Sequence, residues 1–297
     1  MRLTKILPYV LMASCASTRV EGPRIRAPLN PRIADSIESL QRRTSLPYIT
    51  SHYSNITEAT QRALSTNPQI AAFGEHHESG ALHIFADNIL PLLAEHNYRD
   101  LILENLPDNP LTERELETGR LGPFLTEWIA NMPDTCGIIS TIDMARRTGV
   151  HLHGAHVVDT PTLLRMRLDP RTILEMGAII TQNTQRQANF YAGLGVKVAI
   201  FGGAVHNNRE SRLSLDQYYN FGDPLSRRFG IRYVAVDIAV GNQAIFWPEE
   251  LRFLQIPSES MFWPRSGANL VEFLGREQGN FAIYLPASAI EPETHCQ

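Results

Sequence analysis

Six short apolar runs without clean alternation punctuate the chain: Gln69 to Phe73, Asp100 to Leu103, Val150 to Leu152, Val196 to Phe201, Tyr233 to Ile238 and Phe281 to Leu285. Runs of this length suit strands buried on both faces, and such strands belong to parallel sheets whose crossover helices cover both sides. The segments between them carry helical spacing. Leu82, Phe85, Ile89 and Leu93 form an apolar stripe after Ser79-Gly80, with Pro91 as its expected kink, and Thr160 to Ala178 and Leu225 to Phe229 read as helical too. The repeated order predicts an α/β fold: a mostly parallel β-sheet flanked by helices, with a pocket at the C-terminal ends of the strands.

Those strand ends carry the chemistry. The run ending at Phe73 leads into Gly74-Glu75-His76-His77, the run ending at Leu103 into Glu104, and the run ending at Phe201 into Gly202-Gly203-Ala204-Val205-His206. His151-Leu152-His153 with His156, and Asp237, occupy two further ends. Seven of the ten histidines (His76, His77, His83, His151, His153, His156 and His206) lie at or just after such ends. Alone, the first motif reads as a solvated polar turn and Glu104 equally as a salt-bridged strand end. Repetition changes the balance: Gly203 to His206 repeats the Gly-x-x-His spacing of Gly74 to His77, with glycine again permitting close backbone approach. The two Gly-x-x-His ends, with Glu75, His77 and His206, are therefore read together as a functional site, and Glu104 remains a strand-end acid that is solvated, paired or liganded. His76, His153, His156 and Asp237 are additional pocket candidates, and the H-x-H spacing puts His151 and His153 on one strand face, as in some metal sites.

Composition narrows the rest. A chain of 297 residues that is 43% hydrophobic builds a core without needing metal or disulfides to fold. A net charge of −4 and a pI near 6.2 give no footprint for nucleic acid. Residues 1–15 resemble a signal peptide with a lipobox-like end: Arg2 and Lys5 precede a short apolar run, and Met12-Ala13-Ser14 precedes Cys15. That run is too short to span a bilayer. The expectation is an exported bacterial lipoprotein anchored to the membrane through a lipidated Cys15, with 16–48 as a flexible tether and 49–297 as a single domain. Cys136 and Cys296 remain, paired or unpaired, and neither has CxxC spacing.

Phe73-Gly74-Glu75-His76-His77, then Leu101-Ile102-Leu103-Glu104, and later Ile200 to His206, resemble in order and strand context the superfamily containing erythromycin esterase, the TIKI proteases and the haem-binding lipoprotein ChaN. The resemblance spans roughly residues 60 to 290, and His76 departs from it by occupying the variable position. It implies that Glu75, His77, Glu104 and His206 line the pocket. The leading expectation is a hydrolase of ester or peptide bonds, acting on a small molecule or peptide, in which imidazole and carboxylate activate a water. Erythromycin esterase-like chemistry implies no metal. TIKI-like chemistry implies a divalent ion, zinc, manganese or cobalt, on His77, Glu104 and His206. The alternative is a ChaN-like haem-binding lipoprotein, for which His76, His77, Tyr218 and Tyr219 are axial ligand types. No G-x-S-x-G elbow is present, which disfavours a covalent serine.

Overall fold

The structure, a computed structural model, describes residues 48–75, 80–118, 120–132, 134–156, 170–203, 207, 209, 220–240, 264–273 and 278–289. Its first half runs β1 (Tyr48–Tyr53), α1 (Ile56–Ala63), β2 (Ile70–Glu75), α2 (Ala81–Ile84), a π-helical turn (Phe85–Ile89), α3 (Leu90–Glu95), β3 (Tyr98–Pro107), α4 (Pro110–Glu117), α5 (Pro123–Ile129), α6 (Thr135–Thr148) and β4 (His151–His156). Then come α7 (Pro170–Gly193), β5 (Lys197–Gly203), α8 (Gly222–Phe229), β6 (Tyr233–Val240), β7 (Ala268–Phe273) and β8 (Asn280–Leu285).

Every one of the six apolar runs forms a strand, and together with β1 and β7 they make an eight-stranded sheet ordered β1-β7-β8-β6-β2-β5-β3-β4. The pairs from β8 through β6, β2, β5 and β3 to β4 are parallel, whereas β7 runs antiparallel to β8 and β1 to β7. The fold is thus α/β with a mostly parallel sheet. Expected helix boundaries shift in two places. The stripe from Leu82 to Leu93 passes through the π turn, and Pro91 lies in the first turn of α3, directly after it. The segment expected from Thr160 to Ala178 is the helix α7, described from Pro170 and continuing to Gly193.

The alternation of the strands divides the core into two layers. Ala71 and Phe73 of β2, Leu101 and Leu103 of β3 and Ala199 and Phe201 of β5 pack with α1, α2, α3, α5 and α6. Ile70 and Ala72, Ile102, and Val198 and Ile200 face the other way, against Met176 and Ile180 of α7 and Leu225 of α8. On the first face Phe85, from the π turn, contacts Phe73 at 5.4 Å and Phe201 at 4.4 Å between ring centroids. This aromatic trio fixes β2 and β5 one turn below their C-terminal ends.

The topology reverses at those ends. Beyond Glu75 the chain joins α2 on the first face; beyond Gly203 it returns through α8 on the second. Adjacent parallel strands whose connections leave to opposite faces define a switch point, where ligands bind α/β sheets. Cys136, in the first turn of α6, is disulfide-bonded, and its partner lies outside the described residues. Among the described residues no helix is long and apolar enough to cross a membrane.

Candidate active site at the strand ends

Glu75 is the last residue of β2, 4% exposed, and stands in register with Gly203 of β5 and Ile238 of β6. Alternation from Ala71 and Phe73 places it on the first face, directly beyond the aromatic trio. Glu104 follows Leu103, the last residue of β3 that pairs with β5. There the ladder opens, and the Glu104 carboxylate takes the place of a ladder partner: Oε2 accepts the Gly203 N–H at 2.7 Å. Two acids therefore flank one glycine, their backbones separated by two strand spacings, about 10 Å.

Glycine at 202 is required by this arrangement. A Cβ there would lie 2.3 Å from Glu104 Oε2 and 3.1 Å from its Cβ, so any side chain would push the carboxylate off the Gly203 amide. Gly202 also pairs with Gly74, and Gly74 with Asp237. Across four adjacent strands the second face thus carries Asp237, Gly74, Gly202 and Glu104: a bare glycine floor with an acid at each side.

Asp237 is 6% exposed. Burial pushes its carboxyl up to about 7, against the opposing donation from Asn207, whose Nδ2 lies 3.0 Å from Asp237 Oδ1. Asn207 is itself 1% exposed, and its backbone carbonyl accepts the Tyr233 hydroxyl at 2.6 Å. Asn207 was not foreseen as a pocket residue; the only local signal is its place directly after His206.

The remaining candidates divide. His76, His77 and His206 lie outside the described residues, as do Tyr218 and Tyr219. His156 is buried at the end of β4 with its ring 5.1 Å from Trp128, on the first face by alternation from Leu152. His153, expected in the pocket, is instead held mid-strand on the second face: Nε2 lies 2.9 Å from Asp100 Oδ1 and Nδ1 lies 3.1 Å from the Tyr191 hydroxyl of α7. His83 faces Asp134, the N-cap of α6, at 3.7 Å. Among the described residues no three His, Cys, Asp or Glu side chains group as metal ligands.

Chemically, the strand ends offer one carboxylate on each face that can orient or deprotonate a water, and a third acid with an elevated proton affinity. No protein-family model and no curated protein sequence matches the chain. Among solved structures it is similar to the type III effector HopBA1 (12% identity, 82% of this chain, 98% of that one, TM-score 0.45). It is also similar to a Bacillus cereus protein (13% identity, 70% and 75%, TM-score 0.42) and to RRSP, a MARTX toxin effector domain from Vibrio vulnificus (15% identity, 61% and 35%, TM-score 0.46). At these identities and TM-scores the likenesses carry no information about chemistry.

Proposed function

We propose that the chain is an exported hydrolase that cleaves an ester or peptide bond with a water activated at the switch point between β2 and β5. One observation supports this above all: Glu104 Oε2 is fixed on the Gly203 N–H at 2.7 Å, while Glu75 ends the neighbouring strand in register with Gly203 on the opposite face. In the sequence His77 follows the end of β2 by two positions and His206 follows the end of β5 by three. In this reading His77, with Glu75 behind it, deprotonates the water, Glu104 orients it and His206 stabilises the developing negative charge. Asp237, protonated over part of the neutral range, supplies a donor from the far side of the glycine floor.

The donor types suit a borderline divalent ion as well as a metal-free site. Glu104, His77 and His206 are the residues that would hold one, and it would lower the pKa of a bound water. Export and a lipid on Cys15 belong to the same proposal. The disulfide at Cys136 accords with an oxidising compartment. If Cys15 carries lipid, Cys296 is the remaining partner for Cys136.

The test is hydrolysis of a panel of model esters and peptides by the purified chain and its Glu104→Gln and Glu75→Gln variants, with circular dichroism as the fold control. Each substitution is expected to lower kcat/KM by about 10²- to 10⁴-fold, the range of a lost general base or its orienting partner. Activity unchanged in folded variants, or no hydrolysis of any substrate by the wild type, removes the reading.

A further inference from the structure

A cavity of about 540 Å³ lies beside the edge strand β4, between α4, α6 and α7. It is a separate place from the strand ends. His153, in its wall, shares a register row with Ile102, Ile200 and Ala72, three residues short of Glu75 and three strands away, on the order of 15 Å by strand geometry. Its volume lies in the range of small-molecule sites.

The hydrogen-bond chain in its wall determines what the cavity presents. Asp100 is a carboxylate and only accepts, so the proton between it and His153 belongs to Nε2. With the imidazole neutral, the other ring nitrogen, Nδ1, is an acceptor and the Tyr191 hydroxyl donates to it. With its one hydrogen committed, Tyr191 Oη offers the cavity lone pairs alone. The surrounding potential is negative: the Tyr191 phenol is raised above its ordinary range by burial first, and then by the charges of Asp100 and Glu113. Two other acids in the wall are already engaged. Glu115 accepts the Phe124 and Leu125 amides at the start of α5, at 3.2 and 2.8 Å, and Asp143 pairs with Arg146 at 2.9 Å. Glu113 and Glu117 against Arg120 leave a net negative balance. Leu116, Ile139 and Ile142 complete an apolar side.

We propose that this cavity is a second binding site, for an organic monocation: a primary ammonium that donates to Tyr191 Oη and Glu113 while its aliphatic chain lies against Leu116, Ile139 and Ile142. The His153–Asp100 pair is a positioning device that keeps Tyr191 an acceptor. The site needs nothing from Glu75 or Glu104 and stands whether or not the strand ends hydrolyse anything.

The test is NMR titration of the full chain with n-hexylammonium and, as a charge control of equal length, hexanoate. Hexylammonium is expected to bind saturably, at least tenfold tighter than hexanoate, shifting resonances of Tyr191 and Ile139. Tyr191→Phe and Glu113→Gln are each expected to weaken it on the order of tenfold, the scale of one hydrogen bond to a charged group. Glu113 is on the surface helix α4, so its substitution reports even if Tyr191→Phe perturbs packing. The proposal is overturned by hexanoate binding as tightly, by no saturable binding of hexylammonium at 10 mM, or by a folded Glu113→Gln variant that binds within twofold of wild type.

Discussion

Asp100 and Glu104 stand on the same strand and the same sheet face, yet burial is resolved for them in opposite ways. Asp100 is 9% exposed and meets a side chain, His153, whose second nitrogen is occupied by Tyr191. The result is a closed relay across three elements. Glu104 meets a backbone amide where the β3 and β5 ladders part, beside two glycines. A closed relay fixes the polarity of whatever borders it, which suits recognition. A carboxylate pinned by one amide at a switch point keeps acceptor capacity, which suits the proposed chemistry. The same residue types at neighbouring positions thus acquire different uses from the row of the sheet they occupy.

The two glycines that border these regions make the comparison measurable. A Cβ on Gly202 meets the Glu104 carboxylate, a movable group; one on Gly154 meets the Pro107 carbonyl at 2.1 Å, which is backbone. Gly202→Ala is therefore expected to cut hydrolysis by about 10²-fold, the cost of displacing a catalytic group by an ångström, with little change in Tm. Gly154→Ala is expected to do the reverse, lowering stability by about 1 to 3 kcal/mol through forced backbone movement. Thermal melts and initial rates on the same preparations separate the two outcomes.

His153→Leu tests the closed relay. It leaves Asp100 and the Tyr191 hydroxyl without their partner, and because both lie near the protein edge the expected loss is about 2 to 3 kcal/mol in urea unfolding, with hydrolysis at the strand ends retained. A variant that loses hydrolysis in step with stability would place His153 in the active site after all.

Asp237 gives the smallest effect and one with a defined pH signature. Its folded pKa, about 7, exceeds the ordinary 3.8, so the folded state holds the extra proton between these values. The group's stabilising contribution is complete below the lower value, declines as pH rises and is gone above about 7. Asp237→Asn keeps an acceptor for Asn207 and cannot ionise. It should match wild type near pH 4 and be more stable at pH 8 by about 1 to 2 kcal/mol, half or less of the full linkage value, since the buried charge relaxes its surroundings. Equal stability differences at both pH values would contradict the assignment.

The parallel part of the sheet was legible because each of its strands is covered on both faces, which leaves a run such as Val198-Ala199-Ile200-Phe201 with no polar break. β1 and β7 were not. Ile49, Thr50 and His52 of β1 are exposed, and β7 carries Glu272 amid its apolar positions, so neither shows the continuous pattern of a strand covered on both faces. Glu104 was legible as a strand-end acid, but its partner was not, because the Gly203 amide becomes available only where two strands distant in sequence diverge. The surroundings of His153 were illegible for a related reason. Its H-x-H setting looked like a ligand pair, whereas its actual neighbours, Asp100 and Tyr191, are fixed by strand register and by a helix that packs from elsewhere in the chain. Asn207 had no signal beyond adjacency to His206.

The central claim is that His77 and His206 share one small volume with Glu104. It is tested most directly by NMR titration of isotopically labelled histidine side chains in wild type, Glu104→Gln and, as a control from the other region, Glu113→Gln. The account predicts that removing the Glu104 charge lowers the titration midpoints of both imidazoles by about half a unit or more, as loss of a neighbouring carboxylate does, while Glu113→Gln moves neither. Midpoints unchanged by Glu104→Gln, or shifted equally by Glu113→Gln, would contradict it.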